Sequence, residues 1–470
     1  MTPTRRPALR SRVEMVMDSV RERLQRRTLD VGARLPSVRV MAQQMQVSTS
    51  TVVTAYDRLV AEGLIASRPG AGFYVRQPLP SLMLAARPYA AQARDIDPLW
   101  LMRQSLDADE KALNPGCGWL PATWMPENDI RKALRALSRQ PVAPLTAYGT
   151  PQGCPELRQL LALRMSERGI LTDPACLLMT ESGTQALDLV CRFLLDRGDT
   201  VLVDDPCFLN FHAMLRTHRV NVISVPFTPF GPDLTAFAAS VAEHRPRLYL
   251  TNAALHNPTG ATITLEIAHR VLHIAEQYDV TIVEDDVFAD FEHQPSPRLA
   301  AMDGLNRVVH TGSFSKSLSA SVRCGYIAAR PDWIDGLVDL KLATAFEAGH
   351  FTAALLLQLL SNGAYRRHME SVRARLADAM HRTCTRLEAA GLTLWTRPRA
   401  GMFTWARLPD GVSAQKVAQY ALKQGVVLAP GNAFSLSQQA DAYLRFNVAQ
   451  STSPRIMQVL EHAIAATQRD

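Results

Sequence analysis

Several absences narrow what this 470-residue chain can be. Its seven cysteines, at 117, 154, 176, 191, 207, 324 and 384, are scattered, odd in number and free of any C-x-x-C, so neither a disulfide framework nor a zinc-binding spacing is written in them. They read as reduced thiols in a cytoplasmic protein with no metal site. No run approaches 18 apolar residues, and the opening MTPTRRPALRSR has no apolar stretch behind its arginines, so neither a membrane span nor a signal peptide is expected. Lysine is missing altogether from the first eighty residues.

What is present fits a globular protein of two or three domains, 47% hydrophobic and 20% charged. The net charge of +7 is unevenly held. Residues 1–80 carry thirteen arginines against six carboxylates, whereas the other 390 residues balance 38 basic groups with 38 acidic ones. The whole excess therefore lies in the first sixth of the chain, an asymmetry that favours a polyanion partner for that segment.

Within that segment, Val13, Met17, Val20 and Leu24 recur at the spacing of one helical face. Ser37 can cap a short helix burying Val38, Met41, Ala42 and Met45. After a turn at Gln46 and Val47, Ser48 can cap a third helix with Val52, Ala55, Tyr56 and Leu59 inward. Two short helices across a tight turn make a helix-turn-helix. LIASRPGAGFYV then reads as two strands joined by Pro69, Gly70, Ala71 and Gly72, a wing whose glycines let backbone approach a ligand closely. The stretch LPSVRVMAQQMQVSTSTVVTAYDRLVAEGLIASRPGAGFYV resembles the winged-helix domain of GntR-type bacterial regulators along essentially its whole length. The resemblance implies double-stranded operator DNA as a partner, with Arg39 on phosphate, Ser48, Thr49, Ser50 and Thr51 at the groove, and Arg68 with Gly70 in the wing. That family usually places an arginine, a guanine reader, just after the cap serine; Thr49 stands there instead. The expected domain is 1–76, followed by a linker, 77–96, with three prolines and no sustained period.

From 97 to 470 short apolar β-forming runs alternate with helical segments, which predicts an α/β fold with a mostly parallel, helix-covered sheet. Ligands in such sheets sit at the carboxyl ends of the strands, so the chemical residues should follow the apolar runs. Gly183 and Thr184 follow LLMT and open a helix whose positive end suits a phosphate. Phe208 follows TVLVDD, where a ring could lie flat on a pyridine. Asn257 lies in HNPTG as a donor to a phenolate oxygen, and Asp285 ends TIVED, where a carboxylate keeps a pyridine nitrogen protonated. In SFSKSLSASVR, Lys316 stands among Ser313, Ser315 and Arg323, the groups that a Schiff base and a phosphate require. Arg445 in AYLRFNVAQ offers a planar fork for a substrate carboxylate. Together these residues suggest pyridoxal phosphate.

The fragments YGTPQGCPELR, SGTQALDL, DDPCF, HNPTG, VEDD, SFSK, VRCGY, GMFTW and YLRFNV occur in the order found in fold-type I pyridoxal phosphate aminotransferases, and this resemblance spans residues 98–468. It implies that Tyr148 reaches the cofactor phosphate of a neighbouring subunit, hence a homodimer with shared sites. Three positions depart from the family pattern: Ser182 and Cys207 replace usual glycines, and Phe288 replaces an aromatic bearing a hydroxyl. A GntR-like winged helix joined to such a domain resembles the MocR subfamily of transcription regulators. That resemblance implies a sensor of an amino acid, an amine or pyridoxal phosphate, in which the ligand displaces Lys316. The alternative is a working aminotransferase carrying a DNA-binding domain.

Overall fold

The computed structural model describes residues 11–26, 28–76, 98–107, 112–139, 146–347 and 349–468; the linker expected at 77–96 lies outside them. The chain divides into two compact units, Met1–Gln92 and Ala93–Asp470.

In the first unit, helices α1 (Arg12–Gln25), α2 (Val38–Met45) and α3 (Thr49–Ala61) precede the antiparallel strands β1 (Ile65–Arg68) and β2 (Gly72–Val75). Each helix starts at a serine that accepts a backbone N–H of its first turn: Ser11 from Glu14, Ser37 from Val40 and Ser48 from Thr51. Gln46 takes the left-handed conformation that ends α2. The core is built from Val16, Met17, Val20, Met41, Val52, Ala55, Tyr56, Leu59 and Ile65. Val16 is fully buried, whereas Val13 and Leu24 only flank the cluster, so the apolar face of α1 is turned by one position from the expected one.

The second unit is built on an eight-stranded sheet in the order β3-β10-β9-β8-β7-β4-β5-β6. Its strands are β3 (Leu177–Thr180), β4 (Thr200–Asp205), β5 (Asn221–Thr228), β6 (Gly231–Pro232), β7 (Leu248–Thr251), β8 (Thr281–Asp285), β9 (Val308–Ser313) and β10 (Gly325–Ala328). The five central strands run parallel. Four of them, β4, β7, β8 and β9, are buried on both faces, which explains their nearly continuous apolar sequence, whereas β5 is buried only in part. Leu202, Tyr249, Ile282 and Val308 join one hydrophobic cluster, while Val201, Val203, Leu248, Leu250, Val283 and Val309 join the other.

β10 runs antiparallel to both its neighbours. A parallel return from β9 would need a crossover of a dozen or more residues, usually a helix. The connection, 314–324, is shorter and folds as an irregular turn, and this turn carries Lys316. A second sheet, in the order β11-β12-β14-β13, was not anticipated from the sequence. It comprises β11 (Thr393–Leu394), β12 (Phe403–Arg407), β13 (Ala429–Pro430) and β14 (Tyr443–Asn447), and it packs on the helices Ala414–Lys423 and Pro454–Thr467. Among the described residues no helix is long and apolar enough to cross a membrane, and no group of His, Cys, Asp or Glu could hold a metal ion.

Candidate functional site

The strand ends of the large unit converge as the parallel-sheet rule requires. β10 pairs Gly325 with Ser313 on one side and with Thr180 on the other. This draws Ser182 and Gly183, at the start of the helix Gly183–Leu194, against the end of β9. A Cβ on Gly325 would lie 2.6 Å from the Gly183 nitrogen, and one on Gly183 would lie 3.3 Å from the Ser313 Cβ, so both positions need a small residue. Ser182 departs from the family pattern, yet its hydroxyl caps the helix by accepting the Gln185 N–H at 3.1 Å. Ser313 Oγ donates to the Cys324 carbonyl and accepts the Ser315 backbone N–H at 3.2 Å. Thr184 is exposed at the helix start. The result is a cradle of hydroxyls and N–H groups at a helix N-terminus, with the exposed Arg323 following the Lys316 turn.

Lys316 emerges beside this cradle. Desolvation, opposed by Cys117 and reinforced by the positive charge of Arg445 and Arg323, brings its amine down to about 8. A Cβ on Gly118 would stand 3.9 Å from that amine. Asp285 ends β8, and burial pushes its carboxyl up to about 7. Its neighbour Asp286 behaves oppositely. Against the same desolvation, Arg298 at 2.8 Å and His310 at 3.1 Å hold Asp286 well below the ordinary carboxylate range. Of two adjacent buried carboxyls, Asp286 is therefore neutralised by the protein, while Asp285 faces the site without such a pair.

Asn257 follows β7. Its side-chain oxygen accepts from Arg445 Nη1 at 2.9 Å, which leaves the amide NH2 as the group available for donation. Asn252, unremarked in the sequence, donates to the Asp285 carbonyl at 2.6 Å and accepts the Asn257 backbone N–H at 2.9 Å, so one side chain ties the two loops together. Beneath them the buried Asp204 accepts from Tyr249 at 2.6 Å and Thr251 at 2.7 Å.

Arg445 lies on β14, 2% exposed, between the rings of Phe403 and Phe434 at 4.6 and 4.5 Å. Its second Nη donates to the Gly116 carbonyl at 2.5 Å, and its Nε has no partner among the described residues. Burial lowers its guanidinium to about 9. Asn447, two residues on along the strand, donates to the carbonyls of Cys117 and Trp119. The segment Gly116–Trp119 is thus held against Lys316 and Arg445. Sequence reasoning passed it over, although NPGCG, a turn of Pro and Gly, was a legible signal.

Phe208 is half-buried at the start of the helix Leu209–His218, edge-on to Phe211 at 5.5 Å. Phe288 is buried against Phe403, edge-on at 5.4 Å, and Cys207 lies 3.1 Å from His212 in a buried setting that keeps its thiol protonated. Tyr148 is not part of this cluster. It is 77% exposed and rests its edge on Phe346 at 4.9 Å.

In the small unit, Arg39 is exposed on the first turn of α2. Gly70 takes a φ of +73° at the wing tip, and the Arg68 guanidinium lies 4.5 Å over the Tyr74 ring. The Ser48 hydroxyl is occupied by capping and by contacts at 2.8 Å to the hydroxyls of Ser50 and Thr51. Thr49 stands exposed at the head of α3.

Residues 125–462 match the family described as aminotransferase class I and II, and residues 12–75 match that of bacterial regulatory proteins, gntR family. The chain is 27% identical over 459 residues to the uncharacterized HTH-type transcriptional regulator YdcR of Escherichia coli K12, covering 95% of this chain and 97% of that one. It is 28% identical to the probable rhizopine catabolism regulatory protein MocR of Rhizobium meliloti, covering 86% of this chain and 83% of that one. Among solved structures, the α-aminoadipate aminotransferase LysN of Thermus thermophilus, complexed with N-(5'-phosphopyridoxyl)-L-leucine, superposes with a TM-score of 0.72. It is 26% identical, over 78% of this chain and 95% of that one.

Proposed function

Because the chain belongs to the aminotransferase class I and II family and carries a gntR-family segment ahead of it, the combination of the MocR subfamily, we propose that it is a transcription regulator controlled by a small amino compound. In this reading the small unit binds operator DNA, and the large unit binds pyridoxal phosphate and the effector.

The residues fit that cofactor. Gly183, Thr184, Ser313, Ser315 and Arg323 would hold its phosphate, Phe208 its ring face, Asn257 its phenolic oxygen and Asp285 its ring nitrogen. Bound there, the cofactor supplies an aldehyde that links reversibly to amines. Asp285 supports this assignment from the protein side, since a buried carboxyl raised to about 7 is relieved by a cationic N–H placed against it. Lys316, lowered to about 8, has a sizeable neutral fraction near pH 7 to 8 and can attack the aldehyde carbon.

Arg445 carries the reading of the effector. It is a buried cation with an unpartnered Nε and no carboxylate in contact among the described residues, oriented by Asn257 and Gly116. A carboxylate-bearing amine would satisfy Arg445 while its amino group displaces Lys316. The free energy released can then shift the population of two arrangements of the protein, to the extent that the effector binds them differently. Tyr148, exposed in a single chain, supports the further expectation of a homodimer in which each copy completes the other's phosphate site.

The test is an absorbance screen of the cofactor-loaded protein against amino acids and amines, paired with operator binding. A ligand that shifts the visible band and changes DNA occupancy supports sensing. Robust multiple-turnover transfer of the amino group to a keto acid would overturn it in favour of an enzyme.

A further inference from the structure

The outward face of α3 is formed by Thr49, Ser50, Val53, Thr54, Asp57 and Arg58, while Val52, Ala55, Tyr56 and Leu59 are buried. Most of the hydroxyls on this side are already committed. Thr54 Oγ1 donates to the Ser50 carbonyl at 3.0 Å, and the Ser50 and Thr51 hydroxyls are both bonded to Ser48. Hydroxyls satisfied this way are poor readers of base edges. Between Thr49 and Asp57 the helix has no cationic side chain, and its single charge there is the carboxylate of Asp57. Val53 remains: a branched aliphatic side chain, 42% exposed, one turn after Thr49 on the same side of the helix. The exposed cation of this helix, Arg58, stands more than a full turn beyond Val53 in the last turn, so no basic side chain beside Thr49 and Val53 can take the two acceptors of guanine.

The surrounding unit is strongly cationic, with thirteen arginines against six carboxylates in the first eighty residues, so the occupant of this face is an anionic polymer. In the major groove only thymine presents a methyl group. We infer that Val53, together with the methyl of Thr49, makes this helix a reader of thymine methyl groups, with Val53 as the residue that sets the base preference. The inference rests on the proposed DNA binding and names what that surface recognises. Side chains one helical turn apart are about 5–6 Å apart, and base pairs rise by about 3.4 Å. The half-site therefore carries two thymines within about two base pairs, and phosphate contacts from elsewhere in the unit supply affinity without sequence preference.

The experiment uses the full-length, cofactor-loaded protein and a pool of duplexes with a random core, from which bound sequences are enriched. The enriched duplex is then remade with deoxyuridine at each thymine in turn, which removes one methyl group and leaves the hydrogen-bonding edge unchanged. Wild type should lose about threefold to fivefold in affinity at one or two thymines per half-site, the worth of a buried methyl. Val53→Ala, at an exposed helical position where alanine is well tolerated, should bind more weakly and become indifferent to deoxyuridine at one of them. If an enriched sequence binds wild type equally with uracil at every position, the inference is wrong while DNA binding stands. It is equally wrong if Val53→Ala keeps the full uracil sensitivity and changes only the self-association of the free protein. Failure to enrich any sequence, even at low salt, removes the DNA-binding reading and this inference with it.

Discussion

Replacing Arg445 with methionine should barely change the stability of the ligand-free protein while abolishing recognition of carboxylate ligands. The side chain is 2% exposed, and lowering its guanidinium to about 9 corresponds to roughly 5 kcal/mol of unfavourable burial at neutral pH. Against that stand two hydrogen bonds from a charged donor, to Asn257 and Gly116, worth about 1.5–3 kcal/mol each. Stacking on Phe403 and Phe434 adds about 1 kcal/mol. These opposing contributions leave a balance near zero, and methionine keeps much of the packing. Chemical denaturation of the ligand-free variant should therefore agree with wild type to within about 2 kcal/mol. An arginine serving as half of a structural buried ion pair would cost about 3–5 kcal/mol on removal. Binding of a carboxylate-bearing effector, followed by titration of the visible band, should weaken about 100-fold or more, the usual loss when one partner of a buried charge pair is removed. An amine of similar shape without a carboxylate should bind both proteins alike. A large loss of stability, or unchanged affinity for the carboxylate ligand, would refute the reasoning.

The other expectations are more compact. The rate at which the cofactor-free protein forms its visible band with added pyridoxal phosphate should rise with pH through a midpoint near 8, because burial holds the Lys316 amine there, and Lys316→Ala should form no such band. Since that folded-state pKa lies below the ordinary 10.5, the protonated amine burdens the fold below pH 8, and the burden is relieved as pH rises from about 8 to 10.5. Asp285→Asn should weaken cofactor retention on dialysis yet make the cofactor-free protein more stable at pH 8. A carboxyl raised from 3.8 to about 7 disfavours the folded state once ionised, so the advantage should shrink in unfolding curves taken below pH 7 and vanish near pH 4. Arg39→Ala should weaken DNA binding across sequences and reduce the slope of log affinity against log salt by about 1, with no change in base preference.

The residues around Lys316 were legible because each follows an apolar run, and the carboxyl ends of parallel strands converge whatever the remaining sequence is. The capping serines Ser37 and Ser48 and the wing glycines were legible for a similar reason, since caps and turns are local in the chain. Periodicity placed Val52, Ala55, Tyr56 and Leu59 inward and was right. On α1 it chose Val13 and Leu24 and passed over Val16, because the face a helix buries depends on which neighbours it meets.

The sequence by itself determined the order of elements, the boundary in charge between the two units and the run of small hydroxyl residues that singles out Lys316, all of which follow from spacing along the chain. Only the tertiary structure decided how those residues act. It reversed β10, which sets Ser313 beside Gly183; it brought the Gly116 carbonyl to Arg445 across 329 residues; and it assigned His310 and Arg298 to Asp286, leaving Asp285 unpaired. The physical reason is that charge state and orientation depend on burial and on partners distant in sequence, which no local pattern records.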